Sequence, residues 1–378
     1  MLRTPLPYTP PCPAVTAQVI LADGTGTHLL VSYHQIRELM TSDRFSRATA
    51  SAELGLRSPT LDYSVTEMDQ PKHTRIRKLL AGSYGARSVE RLRGRVEAIA
   101  VGLADDLLEA GPPADLVSGF CAPLTFEAQC ELLGVPRPYR ERLRGWSVAR
   151  CEHPGPEPKA VRAAETELYR EVREVLRELR SAPGTTLFHR LIEACDGSRL
   201  IDDEELHGIA TSMFRDGHFL AATQIANSVL YLLDHPQLLT SLREQPALLV
   251  PAIEELLRLC PAVNHSMARV AVQETELGGV TVPAGATVTA SLPAANRDGC
   301  AFAKPDAFDI DRAGNQHLSF GRGIHYCLGA HLARVEIQTA LRTLLERMPG
   351  LRLAAPTSRL QPFVTQGAVG ADELPVAW

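Results

Sequence analysis

The chain has 378 residues, of which 45% are hydrophobic and 22% are charged, and its formal net charge is −5. These fractions exclude a disordered or fibrous chain and predict a globular protein with a large buried core. The balance of 39 basic against 44 acidic side chains, together with an aromatic content of only 5%, argues against a protein that binds nucleic acid.

The N-terminal residues 1–13 are rich in proline and have no apolar core, so they do not resemble a signal peptide. No segment reaches the roughly 18 consecutive apolar residues that a membrane-spanning helix requires. We therefore expect a cytoplasmic protein with no membrane partner. The eight cysteines are scattered along the chain, which excludes paired-cysteine zinc modules and predicts free thiols in a reducing compartment.

The secondary-structure signals predict a mostly α-helical chain with small β sheets. Two short apolar runs, at residues 19–24 and 28–31, predict a hairpin. Acidic residues at 202–205 mark the start of a long helix that Pro236 should end. Strands are predicted within residues 270–292, with turns at the glycines. The helical period is found at residues 88–108, 158–180, 202–233 and 247–259.

A glycine-rich passage near the end of the chain surrounds one cysteine. Residues 320–330 are FGRGIHYCLGA and lead into a helical segment. The glycines before Cys327 allow a positive φ and a close approach of the backbone, and Gly329 follows it at the predicted start of the helix. Backbone amides and the positive end of a helix both favour thiolate over thiol, and a thiolate held in a tight loop suits an iron ligand.

Two other interpretations of this cysteine are open at this point. A cysteine at the start of a helix is commonly a small buried hydrophobic side chain. His325, Cys327 and His331 offer three ligands for zinc, but a fourth ligand is missing from the pattern.

The passage resembles the heme-binding loop of the cytochrome P450 family, Phe-Gly-x-Gly-x-His-x-Cys-x-Gly, at every defined position. Glu255 and Arg258 resemble the family's Glu-x-x-Arg element, and residues 68–77 (MDQPKHTRIR) resemble the segment that enters its C helix. The similarity to soluble bacterial members extends from about residue 30 to the C-terminus.

This resemblance implies one mostly α domain over residues 1–378, the triangular-prism P450 fold with small β sheets, in which residues 1–30 form a Pro-rich segment and the first hairpin. It replaces the two or three domains that the length alone predicts. Cys327 becomes the axial thiolate ligand of the iron in heme b, and Glu255 and Arg258 form a structural buried ion pair. The other implied cofactor-binding residues are His73, Arg77, Arg269 and His325 at the propionates, with Phe320 and Gly329 beside the ring.

The predicted helix at 202–233 resembles the family's I helix but departs from it at the catalytic acid and alcohol. The bacterial pattern Ala-Gly-x-Glu/Asp-Thr-Thr aligns with residues 216–221, so Gly217 is kept while Phe219 and Leu220 replace the acid and the alcohol. Neither replacement has a proton to give. Asp216 or His218 could relay protons instead, although we favour a structural role for His218 between helices.

Three hypotheses for the function follow. The first is a heme-thiolate oxidoreductase of bacterial secondary metabolism that oxidises a small polar-framed metabolite, by C–C or C–N coupling of an aromatic cyclodipeptide, because members with that activity also lack the acid–alcohol pair. The second is an ordinary hydroxylase (a monooxygenase) in which water or the substrate completes the proton path. The third is a heme-binding protein without turnover. The substrate-facing positions that the resemblance implies are Asn264, His265, Ser266, Phe363 and Val364.

Nothing in the sequence resembles a nicotinamide or flavin site, since no Gly-x-Gly-x-x-Gly follows a strand. The resemblance therefore implies electrons from a ferredoxin and an NAD(P)H-dependent ferredoxin reductase, with dioxygen and a small-molecule substrate as the other partners. Arg322 and Arg334 are candidates for docking an acidic ferredoxin.

Overall fold

The computed structural model describes residues 16–20, 26–53, 62–152, 158–364 and 367–378. Helices dominate these residues, as the sequence predicts. In chain order the α-helices are α1 Tyr33–Thr41, α2 Arg47–Glu53, α3 Lys72–Tyr84, α4 Ala86–Glu90, α5 Arg93–Ala110, α6 Ala122–Leu133, α7 Arg137–Glu152, α8 Pro158–Leu179, α9 Leu187–Ile192, α10 Asp203–Asp216, α11 Phe219–Leu233, α12 Pro236–Glu244, α13 Leu249–Leu259, α14 Leu292–Ala295 and α15 Ala330–Arg347.

The strands are short and form small sheets. They are β1 Thr16–Ile20, β2 Gly26–Leu30, β3 Phe45–Ser46, β4 Ala114–Asp115, β5 Arg269–Ala271, β6 Thr275–Leu277, β7 Val280–Val282, β8 Thr287–Ala290, β9 Arg352–Leu353, β10 Pro362–Val364, β11 Val369–Ala371 and β12 Pro375–Ala377. The largest sheet has five strands in the order β1-β2-β8-β5-β3, in which β2 pairs parallel with β8 and the other neighbours pair antiparallel.

The predicted N-terminal hairpin is confirmed, because β1 and β2 pair antiparallel with Gln18 opposite His28. Its turn, residues 21–25, and most of the Pro-rich segment lie outside the described residues. The strands predicted within 270–292 are also found as β5 to β8, and their turns contain glycines with positive φ at 278, 279 and 285.

Three apolar clusters form the core. The first contains residues of α3 and of every helix from α6 through α10, and the second contains residues of α5, α6, α11, α13 and α15. The third lies between α1 and the five-stranded sheet. Helix α11 contacts α6, α15 and β11 and therefore runs through the middle of the molecule. Among the described helices, none is long and apolar enough to cross a membrane.

The long helix predicted at 202–233 is in fact two helices, α10 and α11, with a break at Gly217 and His218. Its start is as predicted, since the Asp202 carboxylate accepts a bond from the Glu205 N–H at 2.8 Å. The break is explained by Gln129, whose Nε2 donates to the Met213 carbonyl at 2.8 Å and so satisfies the last turn of α10. A Cβ at position 217 would lie only 2.1 Å from this amide, which requires glycine there.

Two further predictions need correction. The helix predicted at 88–108 is divided into α4 and α5, because the Leu92 N–H bonds to the Val89 carbonyl at 2.9 Å in a tighter turn. Cys300 is disulfide-bonded, whereas free thiols were expected throughout. A disulfide needs two cysteines that are close in space, and sequence spacing alone does not show this.

We predict that Gly323→Ala destabilises the protein more than Gly314→Ala. Both glycines have a positive φ, but a Cβ at Gly323 would lie 2.4 Å from the Met40 carbonyl oxygen, while Gly314 has open space. The conformational cost, about 1–2 kcal/mol, is shared by both variants, and overpacking adds roughly 1–3 kcal/mol at position 323 only. Thermal unfolding of the two variants measures the difference; equal losses would contradict the close approach.

Candidate functional site

The glycine loop holds Cys327 at the N-terminal end of α15. Gly321 and Gly323 have φ values of +67° and +74°, and the Cys327 N–H donates to the Phe320 carbonyl at 2.8 Å. Helix α15 begins at Ala330, directly after Gly329. The loop therefore turns back on itself and presents the half-buried Cys327 thiol beside the first turn of the helix.

Burial and the neighbouring positive groups shift the pKa of the Cys327 thiol in opposite directions. Burial raises the pKa of the thiol, while the Gly329 N–H and the charges of Arg77 and Arg334 lower it. The stabilising groups predicted from the sequence are present, but burial outweighs them and the net pKa shift is upward. A metal cation bonded to the sulfur would supply the positive charge that makes the thiolate stable here.

Four basic residues from three parts of the fold lie near this loop. His73 on α3 is only 1% exposed, and its ring lies 4.5 Å from the His325 ring. Arg77, one turn further along α3, donates to the Tyr326 carbonyl at 2.5 Å. Arg269 at the start of β5 is 3% exposed and donates to a backbone carbonyl at 3.3 Å.

Part of this basic group lacks hydrogen-bond acceptors among the described residues. Both ring nitrogens of His73 and Nδ1 of His325 are buried without a hydrogen-bond partner. Among the described residues, no carboxylate lies within ion-pair distance of Arg77 or Arg269. Buried polar groups without partners cost free energy, so an anionic ligand is the natural complement of this group.

The two histidines act as neutral hydrogen-bond donors in this arrangement. Burial first, and then the charges of Arg77 and Arg47, lower the pKa of His73 to about 4. Burial likewise lowers the pKa of His325, with further contributions from Arg47 and Arg269. Each neutral imidazole still has one N–H to donate. Two arginines, two imidazole donors and an open thiol fit an iron porphyrin that carries two carboxylates.

A metal site without a porphyrin does not fit as well. Within the part of the chain that the structure describes, no group of three His, Cys, Asp or Glu side chains could hold a metal ion. His331, the third ligand of the zinc alternative, is exposed on α15. The zinc interpretation of the Cys327 loop is therefore not supported.

Glu255 and Arg258 form a buried ion pair on α13. Arg258 Nε and Nη2 donate to the two Glu255 oxygens at 2.7 and 2.8 Å, and both side chains are at most 1% exposed. Arg312 and Asn315 also donate to Glu255, each at 3.0 Å. Arg258 additionally donates to the backbone carbonyls of Asn296, Pro305 and Ala307. The pair therefore fastens the segment that precedes the Cys327 loop to α13.

The residues at the predicted acid and alcohol positions present apolar surface. The Phe219 ring lies 5.7 Å from the Phe363 ring of β10, and Leu220 is 38% exposed. His218 is buried between the rings of Phe126 and Phe214 at 5.7 and 5.6 Å. This packing agrees with a structural role for His218.

Asp216, at the end of α10, belongs to a polar group beside the helix break. Its Oδ2 accepts from the Ser64 hydroxyl at 3.1 Å, and its Oδ1 accepts from Arg215 Nε at 2.7 Å. The Ser64 oxygen lies 2.7 Å from the Thr66 hydroxyl oxygen. An acid and two hydroxyl groups are thus connected at the end of α10, three residues before Phe219 in the chain.

Of the predicted substrate-facing residues, Ser266 has its side chain engaged within the protein. The Ser266 hydroxyl accepts from the Ala290 N–H at 3.1 Å and donates to the Met267 carbonyl at 3.3 Å, so it is already engaged in the sheet. Burial lowers the pKa of His265. Asn264 is half-buried, its backbone N–H bonds to Gly367, and the side chain of Val364 lies outside the described residues.

Two residues beside the site, Gln129 and Arg47, are not predicted from the sequence. Gln129 is a single buried amide in the mainly apolar helix α6, and that pattern is the only sequence signal that could have found it. Arg47 starts α2 and belongs to no motif. Its proximity to His73 and His325 depends on tertiary structure.

Comparison with known proteins agrees with this geometry. The sequence profile of the family described as "Cytochrome P450" matches residues 157–349. Nocardicin C N-oxygenase of Nocardia uniformis subsp. tsuyamanensis is 39% identical over 96% of this chain and 92% of its own length. Mycinamicin IV hydroxylase/epoxidase of Micromonospora griseorubida is 37% identical over 94% of this chain and 90% of its own length.

Solved structures agree as well. The structure of SgvP, described as a putative thioether synthase in a tailoring step of griseoviridin, has a TM-score of 0.88 and 36% identity, covering 96% of this chain and 93% of that one. CxnD, described as an enzyme for C–S bond formation in chuangxinmycin biosynthesis, has a TM-score of 0.85 and 30% identity, covering 93% of this chain and 88% of that one.

We predict that Glu255→Ala yields misfolded or heme-poor protein, because it leaves the Arg258 charge buried without its partner. Breaking a buried pair costs about 3–5 kcal/mol. The control is Glu90→Ala, which removes another i,i+3 partner of an arginine, Arg93, at the surface and should leave the yield and heme content unchanged because exposed ion pairs contribute little to stability. Yield of folded protein and heme content per chain measure both; equal effects would contradict a structural role for the buried pair.

Proposed function

This chain belongs to the cytochrome P450 family, and we propose that it is a monooxygenase that inserts oxygen into a small secondary metabolite, with heme b bound through Cys327. The observation that carries the proposal is the Cys327 thiol beside two buried imidazoles without hydrogen-bond partners and two arginines without a carboxylate at ion-pair distance among the described residues. The N-oxygenase and hydroxylase/epoxidase names of the two similar proteins support oxygen insertion. The hypothesis of a heme protein without turnover finds no support among these relatives.

The chain's own residues would hold the cofactor from two sides. Cys327 would bind the iron as thiolate, while His73, Arg77, Arg269 and His325 would donate to the propionates. The chemistry that bound heme supplies is the reductive activation of dioxygen and transfer of one oxygen atom. Gly329 would contribute its backbone N–H, which favours the thiolate form of Cys327.

Phe320 would pack against the ring near the sulfur. Its own ring is covered on another side by Arg334, whose guanidinium lies 4.6 Å from the ring centroid. This cation–π contact would hold the phenyl ring in place beside the cofactor.

In this proposal, Asp216 takes over the proton delivery that the family's acid and alcohol provide. Phe219 and Leu220 hold no exchangeable proton, whereas Asp216 is connected through Ser64 to Thr66 at hydrogen-bond distances. A carboxylate linked to hydroxyl groups can pass a proton along the chain of oxygens. The break at Gly217 separates α10 from α11 next to this carboxylate.

Oxidative coupling of an aromatic cyclodipeptide is the second candidate. Coupling requires removal of hydrogen atoms or electrons from the substrate without return of oxygen. The Phe219 and Phe363 rings form an apolar aromatic surface that suits an aromatic substrate. The described activities of SgvP and CxnD, both of which concern bonds to sulfur, show that similar folds also serve bond formation.

The proposed electron donor is a ferredoxin, supplied by an NAD(P)H-dependent reductase, that docks on the side of the Cys327 loop. Ile324 and Tyr326 are 41% and 40% exposed there, beside Arg322. Arg334 is less available for docking, because it donates to both oxygens of Glu254 at 2.7 and 2.8 Å. We therefore assign the electrostatic part of docking to Arg322 rather than Arg334.

We predict that Cys327→Ser abolishes the thiolate-type Soret band of the reduced carbon monoxide complex, because a serine oxygen replaces the thiolate sulfur at iron. Cys195→Ser is the control, since Cys195 is a free, half-buried cysteine in another part of the fold and the band should persist. Retention of the band in Cys327→Ser would contradict the axial-ligand assignment.

We predict that Asp216→Asn lowers product formation by about 100-fold, the lower range for loss of a general acid, while NADPH consumption continues. Asp234→Asn, at the far end of α11, is the control.

Purified protein with ferredoxin, reductase and NADPH is incubated with a panel of macrolides, amino-acid derivatives and aromatic cyclodipeptides. A product heavier by one oxygen atom supports the monooxygenase, and a product lighter by two hydrogens supports coupling. Unchanged turnover in Asp216→Asn would contradict the relay.

A further inference from the structure

Arg47 is a buried arginine whose binding capacity is only partly used. It follows β3 directly, and its side chain is 8% exposed. Its Nη1 donates to the Thr66 carbonyl at 2.7 Å and lies 3.7 Å from the Met267 sulfur. Its Nε is buried without a hydrogen-bond partner, and within the described residues no carboxylate lies at ion-pair distance. An unsatisfied guanidinium N–H at this depth points to an acceptor that the protein does not provide.

Backbone contacts place Arg47 beside the residues that would bind the propionates. Ser46 is opposite Val270 in the β3–β5 pair, so Arg47 and Arg269 each lie next to a paired residue. The Arg47 N–H donates to the Asp69 carboxylate at 3.1 Å, and the His73 N–H donates to the Asp69 carbonyl at 2.9 Å. Arg47 therefore lies at the edge of the site where Arg269 and His73 meet, although it comes from a different part of the chain.

We propose that Arg47 is a fifth basic group for the cofactor's carboxylates and that it ties residues 62–71 to that edge. The inference rests on heme binding and is independent of the reaction that the enzyme performs. Arg47 is a positioning residue: one side of its guanidinium holds the Thr66 carbonyl, and the remaining N–H groups are available to a propionate.

Two carboxylates act on Arg47 within the protein. Burial lowers the pKa of Arg47 to about 10, while the charges of Glu67 and then Asp69 raise it. Asp69 is fixed by the Ser46 hydroxyl at 2.5 Å and by the Arg47 backbone N–H at 3.1 Å. Among the described residues neither carboxylate lies at ion-pair distance from the guanidinium, and its Nε stays without a partner. An N–H group is therefore left for a propionate.

Arg47 also connects the cofactor edge to the helix break. It holds Thr66, and Ser64, two residues earlier, donates to Asp216 at the end of α10. Both attachments belong to residues 62–71, so the position of this segment depends on the cofactor at one point and on the distal helix at the other. Loss of Arg47 should loosen the first attachment and leave the second intact.

The test uses the heme-loaded protein and measures the rate of heme transfer to excess apomyoglobin. Arg47→Gln should raise this rate about tenfold or more, the range for loss of one charge-assisted hydrogen bond. Arg47→Lys keeps the charge but loses the planar fork, and its rate should be intermediate. The matched control is Arg44→Gln: Arg44 is exposed three residues earlier and bonds to Thr275 instead. Its rate should stay within about twofold of wild type.

Resonance Raman spectra give a second readout that a merely structural arginine would not change. The propionate bending bands should shift in both Arg47 variants and not in Arg44→Gln, because they report hydrogen bonding to the carboxylates. If Arg47→Gln yields no folded heme protein, the Arg47→Lys bands decide. Unshifted bands in Arg47→Lys, or a transfer rate in Arg47→Gln equal to wild type while Arg77→Gln accelerates transfer, would overturn the proposal.

Discussion

Burying a guanidinium without a carboxylate at ion-pair distance costs free energy, and among the described residues this fold does so with Arg47 and Arg269. Half-buried Arg77 and the buried imidazole of His73, beside that of His325, lie near them. An anionic ligand bound to these groups would lower that cost. Under the proposed function this ligand is heme, so cofactor binding would stabilise the folded state of this region.

The buried charges of Glu255 and Arg258, by contrast, are fully hydrogen-bonded within the protein. Each of its oxygens and nitrogens has a partner inside the protein, from Arg312, Asn315 or backbone groups. Such a group is complete before any ligand arrives and can hold the segment before the Cys327 loop in a fixed position. The protein thus separates charges that shape the fold from charges reserved for the cofactor.

Local signals in the sequence predict much of this structure because they act over a few residues. The capping acid Asp202, the Pro236 stop and the glycines before Cys327 each determine backbone geometry in their own neighbourhood. The break at Gly217 escapes prediction because its cause, Gln129, lies 84 residues from the carbonyl that it satisfies. Arg47 and the disulfide at Cys300 escape for the same reason. The raised pKa of Cys327 depends on burial, which periodicity does not quantify.

The last turn of α1 supports the site at two places. The Leu39 carbonyl accepts from Arg269, and the Met40 carbonyl lies against Gly323 in the cysteine loop. The Cys327 loop and Arg269 thus contact adjacent peptide units of one short helix. A shift of α1 would move both anchor points in the same direction and preserve the spacing between them. Under the proposed function, this helix would keep constant the distance between the two attachments of a rigid, flat cofactor.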